Sequence, residues 1–168
     1  SWVSRLCENP MGHLLANRVR ETGVSIEHVQ FSNEGRVGIY FLEQGAAPRP
    51  DAVHYDRVGS TMSLTRKGDL DWASIFAKGK WFYLTGITPA LSPSCSDAAL
   101  DALQQAKGAG LSVCLDPNYR AKLWSVERAA EWLQRAIPFV DVLITNPEDA
   151  QRFFAFTGST DPEGVCKG

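Results

Sequence analysis

Apolar and polar residues follow two different periods along the chain, and the first of these predicts a β-ribbon. The segments 36–43 and 52–58 alternate every second residue, and a loop rich in Gly, Ala and Pro joins them. This arrangement is typical of two antiparallel strands. One apolar face of the predicted ribbon comprises Val37, Ile39 and Phe41. Because an isolated ribbon is marginally stable in water, we expect this one to be covered by a second subunit or a larger sheet.

A helix is predicted before the ribbon. Asn9 is suited to cap its first turn, Pro10 fits the first helical position, and Gly23 ends it. Leu15 and Val19 lie four residues apart, which predicts that they form the apolar face of this helix.

After residue 68 the pattern changes to alternating strands and helices. Apolar strands are predicted near 80–85, 111–115 and 141–145, with helices near 94–109 and 125–137 between them. This order predicts an α/β fold with a parallel sheet and right-handed crossovers, and near-continuous apolar strands indicate burial on both faces. The inward-facing residues predicted for the first of these helices are Leu100 and Leu103. Those predicted for the second are Val126, Ala129, Ala130, Leu133 and Ile137.

Polar residues stand where these strands end. Asp116, Asn118 and Arg120 follow the middle strand directly, and ligands of open parallel sheets bind beyond the carboxyl ends of the strands. We therefore predict a substrate or cofactor at this edge. Asp116 and Asn118 can also be explained as caps of the next turn. A guanidinium at a strand end, as in Arg120, usually holds an anion.

Composition narrows the function classes. The net charge is −2 and the basic residues are scattered, so neither a nucleic acid nor an anionic membrane is indicated as partner. No apolar run approaches the roughly 20 residues that span a bilayer.

The four cysteines form no CxxC pair, which favours reduced thiols in a cytoplasmic protein over a zinc or redox site. The chain starts at Ser1 rather than Met, which suggests a piece of a longer protein.

Five segments carry a resemblance to a known family. They occur in one order and read "GIYFLEQG", "RPDAVHYDR", "LTGITPALS", "LDPNYRAKLWS" and "DVLITNPED". Together they resemble the 2-keto-3-deoxygluconate kinase branch of the PfkB (ribokinase-like) carbohydrate kinases. The resemblance implies that residues 1–168 are one partial kinase domain. Its parts would be a lid ribbon at about 36–58 and a βαβ core at about 80–156, with helices flanking the parallel sheet.

The resemblance also implies a reaction and a substrate site. Family members of this branch transfer the γ-phosphate of Mg-ATP to 2-keto-3-deoxygluconate, a small sugar acid. By likeness, Tyr40, Tyr55 and Arg57 would form the lid over the sugar. Ile87 would line the pocket through its backbone, and Arg120 would hold the acid end. Period two independently aims Tyr55 and Arg57 to one side, although ribbon packing or a homodimer contact explains the tyrosines equally well.

A second implied site lies near the nucleotide. In this family an N-x-x-E segment orders the water shell of the metal near the ATP phosphates, and here it reads Asn146-Pro147-Glu148-Asp149. Asn146 and Asp149 would take these roles without binding the metal directly. Helix capping explains the segment fully as well, with Asn146 as the cap and Pro147 at the first position.

Some parts of the family pattern do not occur in the 168 residues. The Gly-Gly substrate loop is absent, and so is the G-A-G-D motif that holds the anion hole and the catalytic aspartate. We therefore expect no catalytic base in this chain and no phosphoryl transfer by the chain alone. The alternatives are a fructokinase or ribokinase type of enzyme, a non-catalytic fragment that binds sugar or dimerises, and an α/β domain whose polar strand ends only cap turns.

Overall fold

A computed structural model describes residues 1–155 of the chain. Cys166, one of the four cysteines, lies outside these residues, as does Phe156 at the end of the predicted core. The chain divides into two compact units. The first comprises Ser1–Leu70 and Leu91–Ala98, and the second comprises Asp71–Ala90 and the chain from Ala99 onward.

The first unit opens with a βαβ motif that the sequence pattern did not predict. β1 (Val3–Cys7) and β2 (His28–Ser32) pair in parallel, and α1 (Pro10–Glu21) connects them. As predicted, α1 begins at an asparagine cap, because the Oδ1 of Asn9 accepts hydrogen bonds from the first-turn amides of Met11 and Gly12, both at 3.0 Å. The two strands read "VSRLC" and "HVQFS", and their mixture of polar and apolar residues forms neither a continuous apolar run nor a run rich in β-branched and aromatic residues.

The predicted apolar face of α1 is wrong. Gly12 and Ala16 are the buried residues, whereas Leu15 is 36% exposed and Val19 is half-buried. A Cβ built on Gly12 would overlap the carbonyl oxygen of Cys7, so the backbone of α1 approaches the end of β1 closely. Small residues four apart permit this approach, and the larger side chains are displaced outward.

The β-ribbon is confirmed. β3 (Ile39–Glu43) and β4 (Ala52–Asp56) pair antiparallel with Tyr40 opposite Tyr55, and the loop between them completes the ribbon. All five residues of β3 are exposed, so neither face of the strand is covered by residues 1–155. Covering of the apolar face by a second subunit stays a prediction.

The second unit contains the predicted parallel sheet. In chain order its elements are α2 (Trp72–Phe76), β5 (Trp81–Thr85), α3 (Ile87–Ala90), α4 (Pro93–Gly108), which begins in the first unit, β6 (Ser112–Asp116), α5 (Val126–Ala136), β7 (Val142–Leu143) and α6 (Pro147–Phe154). The strand order is β5-β6-β7 and both pairings are parallel, as the alternating pattern predicted. The core of this unit is closely packed, since Leu103, Val113 and Leu115 are fully buried.

Helix α5 is present, but its apolar stripe is partly different from the prediction. Ala129 and Leu133 are buried as predicted and Ala130 is half-buried, whereas Val126 and Ile137 are 37% and 36% exposed. The remaining buried residues of the helix are Trp132 and Ala136. The stripe is rotated because the indole of Trp132 packs near that of Trp124, with 6.2 Å between ring centroids.

The two faces of the sheet differ in burial. Crossovers between parallel strands are right-handed, and both run in the same direction here, so α5 and the later part of α4 belong on one face. The opposite face exposes Trp81, Tyr83, Val142 and Ile144 at 62%, 55%, 38% and 54%. The middle strand β6 is buried on both faces as predicted, since Val113, Cys114 and Leu115 are 0%, 8% and 0% exposed. The same prediction is wrong for the strand near 141–145, because Val142 and Ile144 are exposed and β7 is only two residues long. Within residues 1–155, no helix is long and apolar enough to cross a membrane.

Candidate functional site

The carboxyl ends of β5, β6 and β7 carry three loops, residues 85–87, 116–120 and 144–149, which we call the strand-end rim. The first two loops lie in close contact. The amide of Gly86 donates to the carbonyl of Asp116 at 2.7 Å. A Cβ built on Gly86 would overlap the carbonyl oxygen of Pro117, so glycine is required at this position by space rather than by backbone angle.

Asn118 connects the same two loops through its side chain. Its Nδ2 donates to the Oγ1 of Thr85 at 3.2 Å, and this Oγ1 also accepts from the amide of Ile87 at 3.4 Å. Asn118 has a left-handed backbone with φ of 42°, a conformation that asparagine tolerates better than most residues. Thr85 and Asn118 therefore fix the backbone of Ile87 at the mouth of the sheet, and Ile87 itself is half-buried.

Asp116 interacts with the exposed face of the sheet. The hydroxyl of Tyr83 donates to its Oδ2 at 3.2 Å. Burial raises the pKa of the Tyr83 hydroxyl, and the neighbouring Asp116 carboxylate raises it further. Burial, and then Asp116, also raise the pKa of the Cys114 thiol. Asp116 thus makes this part of the rim electronegative, and both neighbouring groups favour their neutral forms.

Arg120 is exposed at the outer end of the middle loop. Its guanidinium donates to the carbonyl oxygen of Tyr119 at 3.0 Å. Tyr119 is fixed in turn, because its hydroxyl donates to the carbonyl oxygen of Trp124 at 3.3 Å. Arg120 is therefore placed where its guanidinium is accessible to an anion from solution.

Asn146 and Asp149 lie at the start of α6. Asn146 caps the helix, since its Oδ1 accepts from the amide of Asp149 at 2.8 Å. The carboxylate of Asp149 is buried and accepts from Arg152 at 2.9 Å and from the Asn146 Nδ2 at 3.1 Å. It also accepts from the amide of Tyr119 at 3.4 Å, which links α6 to the middle loop. The capping interpretation of this segment is confirmed, and the water-shell role stays a prediction.

In the first unit, the β-ribbon brings its three predicted residues together. Tyr40 and Tyr55 are directly opposite in register, with 6.3 Å between ring centroids. The guanidinium carbon of Arg57 lies 4.6 Å from the centre of the Tyr55 ring, within range of a cation–π interaction. Tyr40 is 60% exposed and Tyr55 39%. Two rings and one cation therefore share an accessible face, as the period of two predicted.

Surface ion pairs hold the ribbon. Arg36 pairs with Asp56, while Glu43 pairs with Arg49 at 2.7 Å and with His54 at 3.4 Å. All five side chains are at least two fifths exposed. These residues were not predicted, because alternation of apolar residues does not indicate which charges meet across a turn.

The described residues do not form a metal site by themselves. Residues 1–155 contain no group of three or more His, Cys, Asp or Glu side chains arranged to hold a metal ion. Three cysteines in this range, Cys7, Cys95 and Cys114, are buried and free of disulfides, in agreement with the expectation of reduced thiols.

Two residues that hold the rim in place could not be identified from the sequence. Thr85 holds two loops through one hydroxyl, and Arg152 pairs with the buried Asp149. A threonine before a strand-end glycine and an arginine three residues after an aspartate on a helix were the only available signals. Neither signal points to a site without the three-dimensional contacts.

Comparison with known proteins gives the chain its family. The family model for pfkB family carbohydrate kinases matches residues 1–167. The 2-dehydro-3-deoxygalactonokinase of Haloferax volcanii is 35% identical over 158 residues, which are 94% of this chain and 49% of that protein. A fructokinase of Solanum tuberosum is 30% identical over 143 residues, which are 84% of this chain and 43% of that protein.

A solved structure agrees with these relatives. The crystal structure of 2-dehydro-3-deoxygluconokinase from Thermotoga maritima matches with a TM-score of 0.89 and 37% identity, and the match covers 98% of this chain and 51% of that one. The chain spans about half the length of the relatives it matches. The similarity confirms the predicted ribokinase-like α/β fold, with a parallel sheet, flanking helices and an antiparallel strand pair. The chain belongs to the pfkB family of carbohydrate kinases.

Proposed function

We propose that this chain is the substrate-binding and lid-bearing part of an ATP-dependent sugar-acid kinase. The full-length protein would transfer the γ-phosphate of ATP to 2-keto-3-deoxygluconate and give the 6-phosphate. The observation that carries the proposal is the face of the β-ribbon on which Tyr40, Tyr55 and Arg57 lie together. The similarity to two kinases named for 2-dehydro-3-deoxy sugar acids supports the same substrate class.

The chemistry of the ligand fits these side chains. A sugar acid offers apolar ring or chain faces to aromatic side chains and a carboxylate to a guanidinium, which is a planar donor that matches carboxylates. In this proposal Arg57 and Arg120 take the acid end, while Tyr40 and Tyr55 cover the sugar. Ile87 contributes its backbone, which Thr85 and the rim hold in place.

Phosphoryl transfer needs a positioned hydroxyl, a base and charge neutralisation. This chain supplies positioning. The 168 residues contain no G-A-G-D segment, so the base and the anion hole would come from elsewhere in the full-length protein. ATP with Mg²⁺ would be the phosphoryl donor, and Asn146 and Asp149 stay candidates for contacts near its phosphates. The nucleotide cosubstrate and the free buried thiols favour a cytoplasmic location.

A test of the acid site compares Arg57→Ala, Arg120→Ala and Arg120→Lys in the full-length enzyme. A charge-assisted contact to a carboxylate contributes roughly 1.5–3 kcal/mol, so each alanine variant should weaken sugar-acid binding about ten- to a hundredfold. Lysine should restore only part of this loss, because it lacks the planar guanidinium. The measurements are KM and kcat for the sugar acid and for an analogue whose carboxylate is reduced to an alcohol.

The matched control for these variants is Arg18→Ala, because Arg18 is an exposed arginine that pairs only with Glu21, three residues away. It should leave both substrates unaffected. Alanine variants of Arg57 and Arg120 that lose nothing for the acid relative to the reduced analogue would show that the carboxylate is held elsewhere.

The isolated chain should be inactive. Incubation with ATP, Mg²⁺ and 2-keto-3-deoxygluconate should release no ADP above background, because no base is supplied. Turnover of roughly 1 per second or more, the usual range for enzymes, would contradict the proposal that this chain is only the substrate-binding part.

The β-ribbon also suggests an oligomer. Ile39 and Phe41 are 43% and 60% exposed on the predicted apolar face, and exposed apolar clusters usually mark interaction sites. We propose that a second subunit covers this face in the full-length protein. Sedimentation that shows a strict monomer would contradict it.

A second candidate function has one observation in its favour. The fructokinase of Solanum tuberosum reaches 30% identity, not far below the sugar-acid kinase. A fructokinase would phosphorylate fructose at least as well as the sugar acid and would not depend on Arg57 or Arg120 through a carboxylate. Competition between the two sugars in one assay separates these candidates.

A further inference from the structure

Other groups of the protein occupy almost all hydrogen-bond acceptor positions of the Asp149 carboxylate. Its residue is only 4% exposed, and buried acids are rare unless they are paired. Oδ1 accepts from Arg152 at 2.9 Å, and Oδ2 accepts from the Nδ2 of Asn146 at 3.1 Å and from the amide of Tyr119 at 3.4 Å. A carboxylate offers about four acceptor positions, so at most about one is left for any further partner.

These bonds converge on Tyr119. The guanidinium carbon of Arg152 lies 5.1 Å from the centre of the Tyr119 ring, and the ring of Phe153 meets it edge to face at 5.4 Å. The hydroxyl of Tyr119 donates to the carbonyl oxygen of Trp124. The backbone amide and the ring of Tyr119 are thus held by three residues of α6, and its hydroxyl is held by Trp124.

Arg120 follows Tyr119 directly in the chain, and the position of its guanidinium depends on the position of Tyr119. Its guanidinium donates to the Tyr119 carbonyl, so a shift of Tyr119 moves both the backbone and one hydrogen-bond acceptor of Arg120. On the other side, Asn118 is tied to Thr85. The middle loop of the rim is therefore fastened to the end of β5 through Asn118 and to α6 through the adjacent Tyr119.

We propose that Asp149 and Arg152 are positioning residues that hold the loop 117–120 and so orient Arg120 toward the acid end of the substrate. The last step rests on the proposed function, in which Arg120 binds the carboxylate. The role differs from the one implied by the family's N-x-x-E segment, where the acid faces the water shell of a metal. Here Asp149 acts through its hydrogen bond to the amide of Tyr119.

Asp149→Glu separates the two roles. Glutamate is the residue of the family segment, so a water-shell role predicts that Mg-ATP affinity improves, while exchange in the loop and the KM for the sugar acid stay as in the parent. A positioning role predicts the opposite kind of result. The added methylene does not fit a site that is 4% exposed, so the bond to the Tyr119 amide is lost and the loop loosens.

Arg152→Lys is the second variant. It keeps the charge beside Asp149 but lacks the planar guanidinium that lies over the Tyr119 ring. Its matched control is Arg18→Lys, because Arg18 and Glu21 form an ion pair with the same spacing of three residues and the same distance of 2.9 Å, but are 71% and 59% exposed. If Asp149→Glu fails to fold, Arg152→Lys still decides the question.

The experiment uses the full-length protein and three readouts. Hydrogen–deuterium exchange of residues 117–124 reports on the loop, KM for the sugar acid and its reduced analogue reports on the acid site, and binding of Mg-ATP reports on the nucleotide site. Both variants should accelerate exchange in 117–124 by about tenfold and raise KM for the acid by a similar factor. In Arg152→Lys, the KM for the reduced analogue, kcat and Mg-ATP binding should stay unchanged. In Asp149→Glu, Mg-ATP binding should not improve.

The outcomes are distinct. Unchanged exchange in 117–124 for both variants overturns the inference, whatever the substrate is. Faster exchange with equal losses for the acid and the reduced analogue overturns the link to Arg120. A parent protein that does not bind the sugar acid removes the proposed function, while the exchange result still decides whether Asp149 and Arg152 hold the loop.

Discussion

The strand-end rim and the β-ribbon carry the two sets of predicted substrate residues, and opposite kinds of interaction hold them. In the rim, backbone contact at Gly86, the bond from Asn118 to Thr85 and the buried Asp149 fix neighbouring loops. In the ribbon, every residue of β3 is exposed and the ion pairs lie at the surface. Surface pairs contribute little to stability, whereas buried contacts are costly to break. The rim is therefore preorganised, and the ribbon is free to adjust.

Gly86→Ala should have the largest effect. Its Cβ would overlap the Pro117 carbonyl, so the variant must separate the two loops at a cost of about 3 kcal/mol in the free energy of unfolding. Gly108→Ala is the control, because its added Cβ meets nothing within 4 Å among residues 1–155 beyond its chain neighbours and its own helix backbone, and it should stabilise the protein by about 0.4–1 kcal/mol. Urea unfolding measures both. Equal stabilities for the two variants would show that the loops of the rim are not in close contact.

Substitutions of Asn118 should have an intermediate effect on the free energy of unfolding. Asn118→Ala loses the bond to Thr85 and places an alanine at a φ of 42°, so we expect a loss of about 1–2 kcal/mol. Asn118→Gly loses the same bond but relieves the backbone. The difference between the two variants isolates the backbone cost, and urea unfolding determines it. Equal losses would mean that the left-handed conformation carries no cost.

The smallest losses in the free energy of unfolding should come from changes to surface carboxylates. Two of these carboxylates, Asp141 and Glu43, should differ in how they affect stability at acid pH. Asp141 accepts from Lys107 at 2.7 Å and from the amide of Val113 at 2.8 Å, and these hydrogen bonds, chiefly that from Lys107, lower its pKa below the ordinary 3.8. Because the folded-state pKa is lowered, the ionised carboxylate stabilises the fold above pH 3.8, and this contribution is lost as pH falls through the folded-state value.

Asp141→Asn should therefore reduce stability at neutral pH and flatten its dependence on pH below about 4. The ribbon carboxylate of Glu43 should behave differently, because both of its partners are exposed side chains. Glu43→Gln should change the free energy of unfolding by less than about 0.5 kcal/mol. Thermal unfolding between pH 2.5 and about 7, a range that spans ordinary carboxyl pKa values, checks both. A larger loss of stability for Glu43→Gln than for Asp141→Asn would contradict this ranking of the two carboxylates.

The sequence predicted those parts of the fold that depend on local pattern. The ribbon, the order of the three parallel strands and the caps Asn9 and Asn146 follow from periodicity and from side chains that bond to nearby amides. The buried face of α1 did not follow, because it depends on the close approach of Gly12 to Cys7. The stripe of α5 was shifted by packing between two tryptophans.

The candidate site shows the same division. Tyr40, Tyr55 and Arg57 could be placed together because strand period and antiparallel pairing determine which side chains share a face. The bond from Tyr119 to Asp149 joins residues 30 positions apart, and no local signal indicates it. Contacts of this kind require the sheet to bring its loops together, so they can be identified only from the structure.

The bare face of the parallel sheet affects how the purified chain behaves in solution. Trp81 and Tyr83 of β5, together with Val142 and Ile144 at β7, present aromatic and aliphatic groups to water on one side of the sheet. A dye that fluoresces in apolar surroundings should bind there, and sulfate salts, which strengthen apolar association, should precipitate the chain at lower concentrations than a protein of similar charge. The indole of Trp81, 62% exposed, supplies an intrinsic emission signal that shifts to shorter wavelengths when this face becomes covered.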